Sequence, residues 1–136
     1  MARKPKALVF DSWAILAYLE GEPSGQEVAD LVTRAHEDGV PMCMSIVNAG
    51  EVWYILAREV SEAQADMAVA DLANLGIELV GVDWPLARVA GTFKARHRMS
   101  YADCFAAALA KARKSELVTG DKEFKQVEKE VTVRWL

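Results

Sequence analysis

Four carboxylates stand out because nothing beside them in the chain accounts for them. Asp11 ends the apolar run ALVF (7–10), and Glu51 sits inside IVNAGEVWYILAR (46–58). Asp103 is the one side chain from 102 to 110 that is neither small nor apolar, and Asp121 follows ELVTG (116–120). Glu51 has no Lys or Arg at helical spacing; those positions hold Val47, Asn48, Tyr54 and Ile55. An unpaired buried carboxylate is costly or shifts its pKa toward neutrality. One cation shared by all four removes that cost. The candidate donors are all hard oxygens, because His36, His97, Cys43 and Cys104 have no partner at metal-ligand spacing. Oxygen-only sites select Mg²⁺ or Mn²⁺ over Zn²⁺. Beside a phosphate, such an ion supports hydrolysis of a phosphodiester.

Each acid also has a plain structural reading. Asp11 and Asp121 are placed to cap the helices that follow them, and Ser100-x-x-Asp103 fits a capping box loosely. Glu51 has no such local excuse.

The elements that must position these residues alternate. Strands are expected at 7–10, 41–45 (PMCMS), 77–82 (IELVGV), 116–120 and 131–135 (VTVRW). Helices are expected from Ser12 to the Gly21-Glu22-Pro23 stop, from a Ser24 cap to about His36, and over 46–58. Further helices run from the Ser61-x-x-Gln64 capping box to about Leu75, from Pro85 to about Arg98, and from a Ser100 cap to Lys114. A short one follows Asp121. This order predicts an α/β fold, a mostly parallel sheet of about four to five strands flanked by helices in three layers. In such sheets ligands bind beyond the carboxyl ends of the strands, where Asp11 and Asp121 lie. Glu51 and Asp103 fall in the first turns of helices facing the same edge if the crossovers are right-handed.

At 136 residues the chain is expected to form one domain, 1–136. The hydrophobic share of 52% and charged share of 26% fit a soluble globular protein. Two distant cysteines suit reduced thiols and a cytoplasmic setting. MARKPK followed by ALVFDSWAILAYL imitates a leader, but Asp11 interrupts the apolar run and Glu20 and Glu22 stand where cleavage needs small residues. No run is long enough to span a membrane. The net charge of −4 argues against nucleic-acid binding by bulk charge, so any such binding needs local cations. Arg96 and Arg98 (with Lys94 and His97) precede the Asp103 helix, and Lys122 and Lys125 follow Asp121; these are the candidate phosphate contacts. Trp13, Trp53 and Tyr54 are expected in the core or in an apolar groove for a partner helix.

Asp11-Ser12 after ALVF, Asn48-x-x-Glu51, Ser100-Tyr101-x-Asp103 and Thr119-Gly120-Asp121-x-x-Phe124 occur in that order. Together they resemble a PIN-domain ribonuclease, specifically the VapC toxins of toxin–antitoxin pairs, over nearly the whole chain. The resemblance implies a PIN fold, Mg²⁺- or Mn²⁺-dependent endoribonuclease activity, a homodimer, and inhibition by a VapB-like antitoxin. By position, Asp11, Glu51, Asp103 and Asp121 resemble the catalytic and metal-binding quartet. Ser12, Asn48 and Thr119 resemble its polar supports.

Three rivals compete with that reading. A haloacid-dehalogenase-type enzyme needs a second Asp two residues after the first, where this chain has Trp13. A receiver domain needs an acidic pair after the first strand, where this chain has Asp11-Ser12. A PIN-like binding module that cuts nothing would keep the fold and lose the chemistry.

Overall fold

The computed structural model describes residues 4–136. The first three residues, part of the basic start weighed above as a leader, lie outside it. Strand β1 (Leu8–Phe10) is buried along its whole length, and so is β2 (Met42–Ser45). Continuous apolar runs of this kind belong to strands covered on both faces. Strands β3 (Ile77–Val80), β4 (Glu116–Thr119) and β5 (Thr132–Trp135) complete a five-stranded sheet in the order β3-β2-β1-β4-β5. Every neighbouring pair is parallel. The expected α/β sheet is therefore present, with all five strands in one direction.

Alternate residues of each strand feed two separate cores. Leu8, Phe10, Met42, Met44 and Val118 face one side, packed beneath α1 (Ser12–Leu19), α2 (Pro23–Asp38), α3 (Ile46–Glu59) and α4 (Glu62–Asn74). Val9, Cys43 and Leu117 face the other, beneath α5 (Trp84–Arg96) and α6 (Tyr101–Arg113). Period-two burial on strands with helices on both faces gives the three layers. The alanines of α6 explain its seat: residues 103–110 are all buried, and short side chains let this helix press onto the sheet. Both cysteines are buried and unpaired, as their spacing implied.

Three boundaries differ from expectation. Helix α2 does not start behind a Ser24 cap: Pro23 already occupies its first turn, and Glu22 caps it without a side-chain bond. Proline suits that position because its missing N–H would have no partner there anyway. Strand β3 stops at Val80 rather than at residue 82, because Gly81–Asp83 lead into the Asp83 cap of α5. That helix ends at Arg96, two residues early.

From β1 the chain steps outward through β2 to β3, then returns to lay β4 and β5 on the opposite side. The order reverses between β1 and β4. The crevice beyond their carboxyl ends is where open α/β sheets bind ligands. Phe10 pairs with Val118, so the next residues along, Asp11 and Thr119, meet at that crevice.

Candidate active site

Asp11 is fully buried and tied from two sides. Its Oδ1 accepts from the Ala14 N–H at 2.8 Å, capping α1, and its Oδ2 accepts from the Thr119 hydroxyl at 2.5 Å. The same Thr119 oxygen accepts from the Asp121 N–H at 3.0 Å. One hydroxyl thus links the ends of β1 and β4. Gly120 between them has no room for a side chain, since a Cβ there would collide with the indole of Trp13. The Trp13 ring is used to seat this turn.

The other acids converge around α6. Ser100 caps that helix by accepting from the Asp103 N–H at 3.2 Å, which sets Asp103 in the first turn with little solvent access (8% exposed). Asp121 caps the short 3-10 helix Lys122–Val127 by accepting from the Glu123 N–H at 2.9 Å. Carboxylate oxygens of Asp103, Asp121 and Glu123 lie within 4.8 Å of one another. Glu123 was not singled out in the sequence. Its signal was there, an acid two residues after Asp121, but it reads as a solvated helix face.

Asn48 ties α3 to this group. Its Nδ2 donates to the Ser12 hydroxyl at 3.2 Å and to the Ala102 carbonyl at 3.1 Å, while Ser12 Oγ donates to the Asn48 carbonyl at 3.2 Å. So Ser12 and Asn48 lock the first turns of α1, α3 and α6 together. Asn48 Oδ1 is buried with no partner among the described residues. Glu51, one turn further along α3, is half-buried, and its charge reaches Asp103.

The electrostatics follow from this crowding. Burial pushes the Asp11 carboxyl up to about 8; the Thr119 and Ala14 hydrogen bonds pull it back, and the charges of Asp103 and Asp121 raise it further. Burial also lifts Asp103 to about 7; Asp121, Glu51 and Glu123 add repulsion, and the Ser100 hydroxyl opposes them. Desolvation and like charge act in the same direction here. Three oxygen donors so close, with two carboxyls raised chiefly by burial and further by like charge, fit a hard divalent cation.

The basic candidates are dispersed. Lys122 is exposed at the start of the 3-10 helix. Arg98 is exposed, and its backbone N–H and C=O are both bonded to the Gln126 side chain, which also donates to the Glu123 carbonyl. Arg96 is exposed and lines a separate cavity. Of the remaining aromatics, Trp53 donates to Asp66 at 2.8 Å and joins α3 to α4, while Tyr54 is exposed under Arg58.

The PIN domain family model matches residues 8–130. Solved structures with this fold include Mycobacterium tuberculosis VapC20, a sarcin–ricin loop cleaving toxin (TM-score 0.69, 19% identity, 89% of this chain and 95% of that one). Others are VapBC2 from Rickettsia felis bound to a DNA fragment from its promoter (TM-score 0.73, 13% identity, 94% and 97%) and DNA-bound VapBC from Salmonella typhimurium (TM-score 0.71, 18% identity, 94% and 96%). No curated protein sequence matches significantly.

Proposed function

We propose, from the premise that this chain belongs to the PIN domain family, that it is a Mg²⁺- or Mn²⁺-dependent endoribonuclease, a single catalytic domain acting as the toxin of a VapBC-type pair. The observation behind this reading is the convergence of Asp103, Asp121 and Glu123 at the sheet's switch point, beside the buried Asp11. Capping alone explains Asp121 and Asp11, but it gives no reason for crowding a third and a fourth acid against them.

Asp11, Asp103 and Asp121, with Glu51 and Glu123 at the edge, are the residues proposed to hold the ion and its water. A divalent ion there supplies Lewis-acid stabilisation of the charge that builds on the scissile phosphate. The protein's own part is to preorganise that site. Thr119 fixes the Asp11 carboxyl through its hydroxyl, and Ser100 fixes where α6 begins. Ser12 and Asn48 hold the three helix starts in register. The unpartnered Asn48 Oδ1 is an acceptor that an ordered water or a substrate hydroxyl would satisfy. Arg98 and Lys122, on either side of the acids, are proposed to meet the RNA backbone.

Two partner readings go with the activity. The VapBC complexes among the structural neighbours support a VapB-like antitoxin for this chain. An apolar patch beside edge strand β3 supports a homodimer: Leu79, Val82 and Trp84, the last 74% exposed. No described helix is long and apolar enough to cross a membrane.

The deciding experiment is incubation of the purified chain with total RNA, with Mg²⁺ or Mn²⁺ and then with excess EDTA. Discrete cleavage products that vanish on chelation are expected. RNA left whole at every metal concentration would refute the nuclease reading.

A further inference from the structure

One group of positive charge lies away from the carboxylates. A cavity of about 160 Å³ between α5 and α6 is lined by Arg88, Thr92, Arg96, Lys111 and Glu130. Arg88, Thr92 and Arg96 are spaced four residues apart, which puts them on one face of α5. Thr92 spends its hydroxyl on the Arg88 carbonyl at 2.9 Å, so the two guanidiniums are the functional groups of that face. Neither forms an ion pair among the described residues. Lys111, across the cavity, lies over the Phe93 ring at 5.6 Å and bonds Glu130 at 3.0 Å. Three cations therefore share one concavity with a single carboxylate, on a protein of net charge −4.

The cavity is also joined to the acid cluster. Arg96 is the last residue of α5, and the following four-residue loop opens α6 with Asp103 in its first turn. Lys94 Nζ pins that loop by donating to the Met99 carbonyl at 2.7 Å. Gln126 pins it from the other side, bridging Arg98 to the Glu123 carbonyl. In chain order, Arg88 and Arg96 on the cavity are followed by Arg98, two residues before the Ser100 cap of the Asp103 helix. From Arg96 to Arg88 the helix rises about 12 Å. Stacked nucleotides rise about 3.4 Å each, so that distance suits three to four of them.

We infer that the α5–α6 cavity is a phosphate-binding subsite, which takes the RNA backbone where it leaves the carboxylate cluster. The inference rests on the ribonuclease reading above and adds to it where the strand runs. Guanidinium forks match phosphate oxygens two at a time, and an anion seated between Arg88, Arg96 and Lys111 relieves their mutual repulsion. A local group of cations of this kind lets an acidic chain grip a polyanion without bulk positive charge.

The test is fluorescence anisotropy with a labelled single-stranded RNA, on an Asp103→Asn background at fixed Mg²⁺, with KCl varied. Replacing both arginines (Arg88→Gln with Arg96→Gln) should lower the slope of log affinity against log salt by about 1.4, two phosphate contacts at about 0.7 each. Between about 50 and 200 mM KCl, the affinity ratio of parent to variant then shrinks about sevenfold. Glu130→Gln frees Lys111 and should tighten binding, a gain that a folding defect does not produce. An unchanged slope in the double variant, or no gain from Glu130→Gln, overturns the subsite while leaving the nuclease reading intact. If the double variant instead loses affinity only for a polyglutamate peptide, the cavity belongs to an acidic protein partner and the proposal is wrong. A parent that binds no RNA at all defeats the nuclease reading too.

Discussion

Asp11 and Asp103 are the same residue type in the same crevice, and the fold treats them in opposite ways. Asp11 is sealed from solvent and given donors, the Ala14 amide and the Thr119 hydroxyl. Asp103 keeps a little access to solvent and is given mainly neighbours of its own sign: Asp121, Glu123 and Glu51. One acid is a structural tie that also faces the site. The other is frustrated until something positive arrives. Buried polar groups are normally satisfied, so the difference shows which part of the crevice is built for the protein and which part is built for a ligand.

The contrast is broken most sharply by substituting each side in turn. Asp103→Asn should cut RNA cleavage by about a hundredfold or more, the scale of losing one preorganised electrostatic group. Yet it should raise the melting temperature of the metal-free protein, because it removes repulsion and no hydrogen-bond donor is orphaned. Cleavage by gel assay and unfolding by circular dichroism on the same sample read both effects. A fall in melting temperature would make Asp103 a cap before anything else. Thr119→Val is the complementary change. It leaves Asp11 Oδ2 without its donor and the Asp121 N–H without its acceptor. At about 1–3 kcal/mol for such losses, the melting temperature should drop by roughly 4–12 °C. A neutral Thr119→Val would show that the hydroxyl does not hold the two strand ends together.

Much of this site could be read from the chain because its residues follow element boundaries. Asp11 and Asp121 come straight after buried strands, and a parallel sheet sends strand ends to one edge; alternation alone was enough to bring them near each other. Asp103 was conspicuous against its alanines, which the structure shows pressed onto the sheet. Ser12 and Asn48 were legible only through family resemblance, since a Ser and an Asn in first turns look like ordinary local structure. Glu123 showed only as an acid two residues after Asp121, and Gln126 carried no signal. Their meaning depends on the 3-10 helix folding back against the loop before α6, a tertiary contact between residues 98 and 126 that no local pattern encodes. The place of Arg96 was legible only in part: its nearness in sequence to Asp103 makes it a phosphate contact, while its helical spacing from Arg88 puts it on the face that lines the cavity. The Ser24 cap failed for a local reason, because Pro23 had already begun the helix.

The smallest expected effect is on the pH dependence of stability. Asp11 has its folded-state pKa raised from 3.8 to about 8, and Asp103 from 3.8 to about 7. A group whose pKa rises on folding binds more protons in the folded state than in the unfolded one. Stability then falls as pH climbs from the unfolded value to the folded value. Metal-free protein should therefore be most resistant to urea in mild acid and lose resistance between about pH 4 and pH 8, the reverse of the usual carboxylate behaviour. Asp103→Asn should flatten the part of that slope that ends near pH 7, while leaving the Asp11 part, which extends to about 8. Saturating Mg²⁺ should flatten both, since an ion bound to the ionised carboxylates favours the charged form. If urea midpoints in EDTA rise steadily with pH across this window, the two carboxyls are already ionised and paired without metal. The contrast between a satisfied Asp11 and a frustrated Asp103 would then have no energetic content.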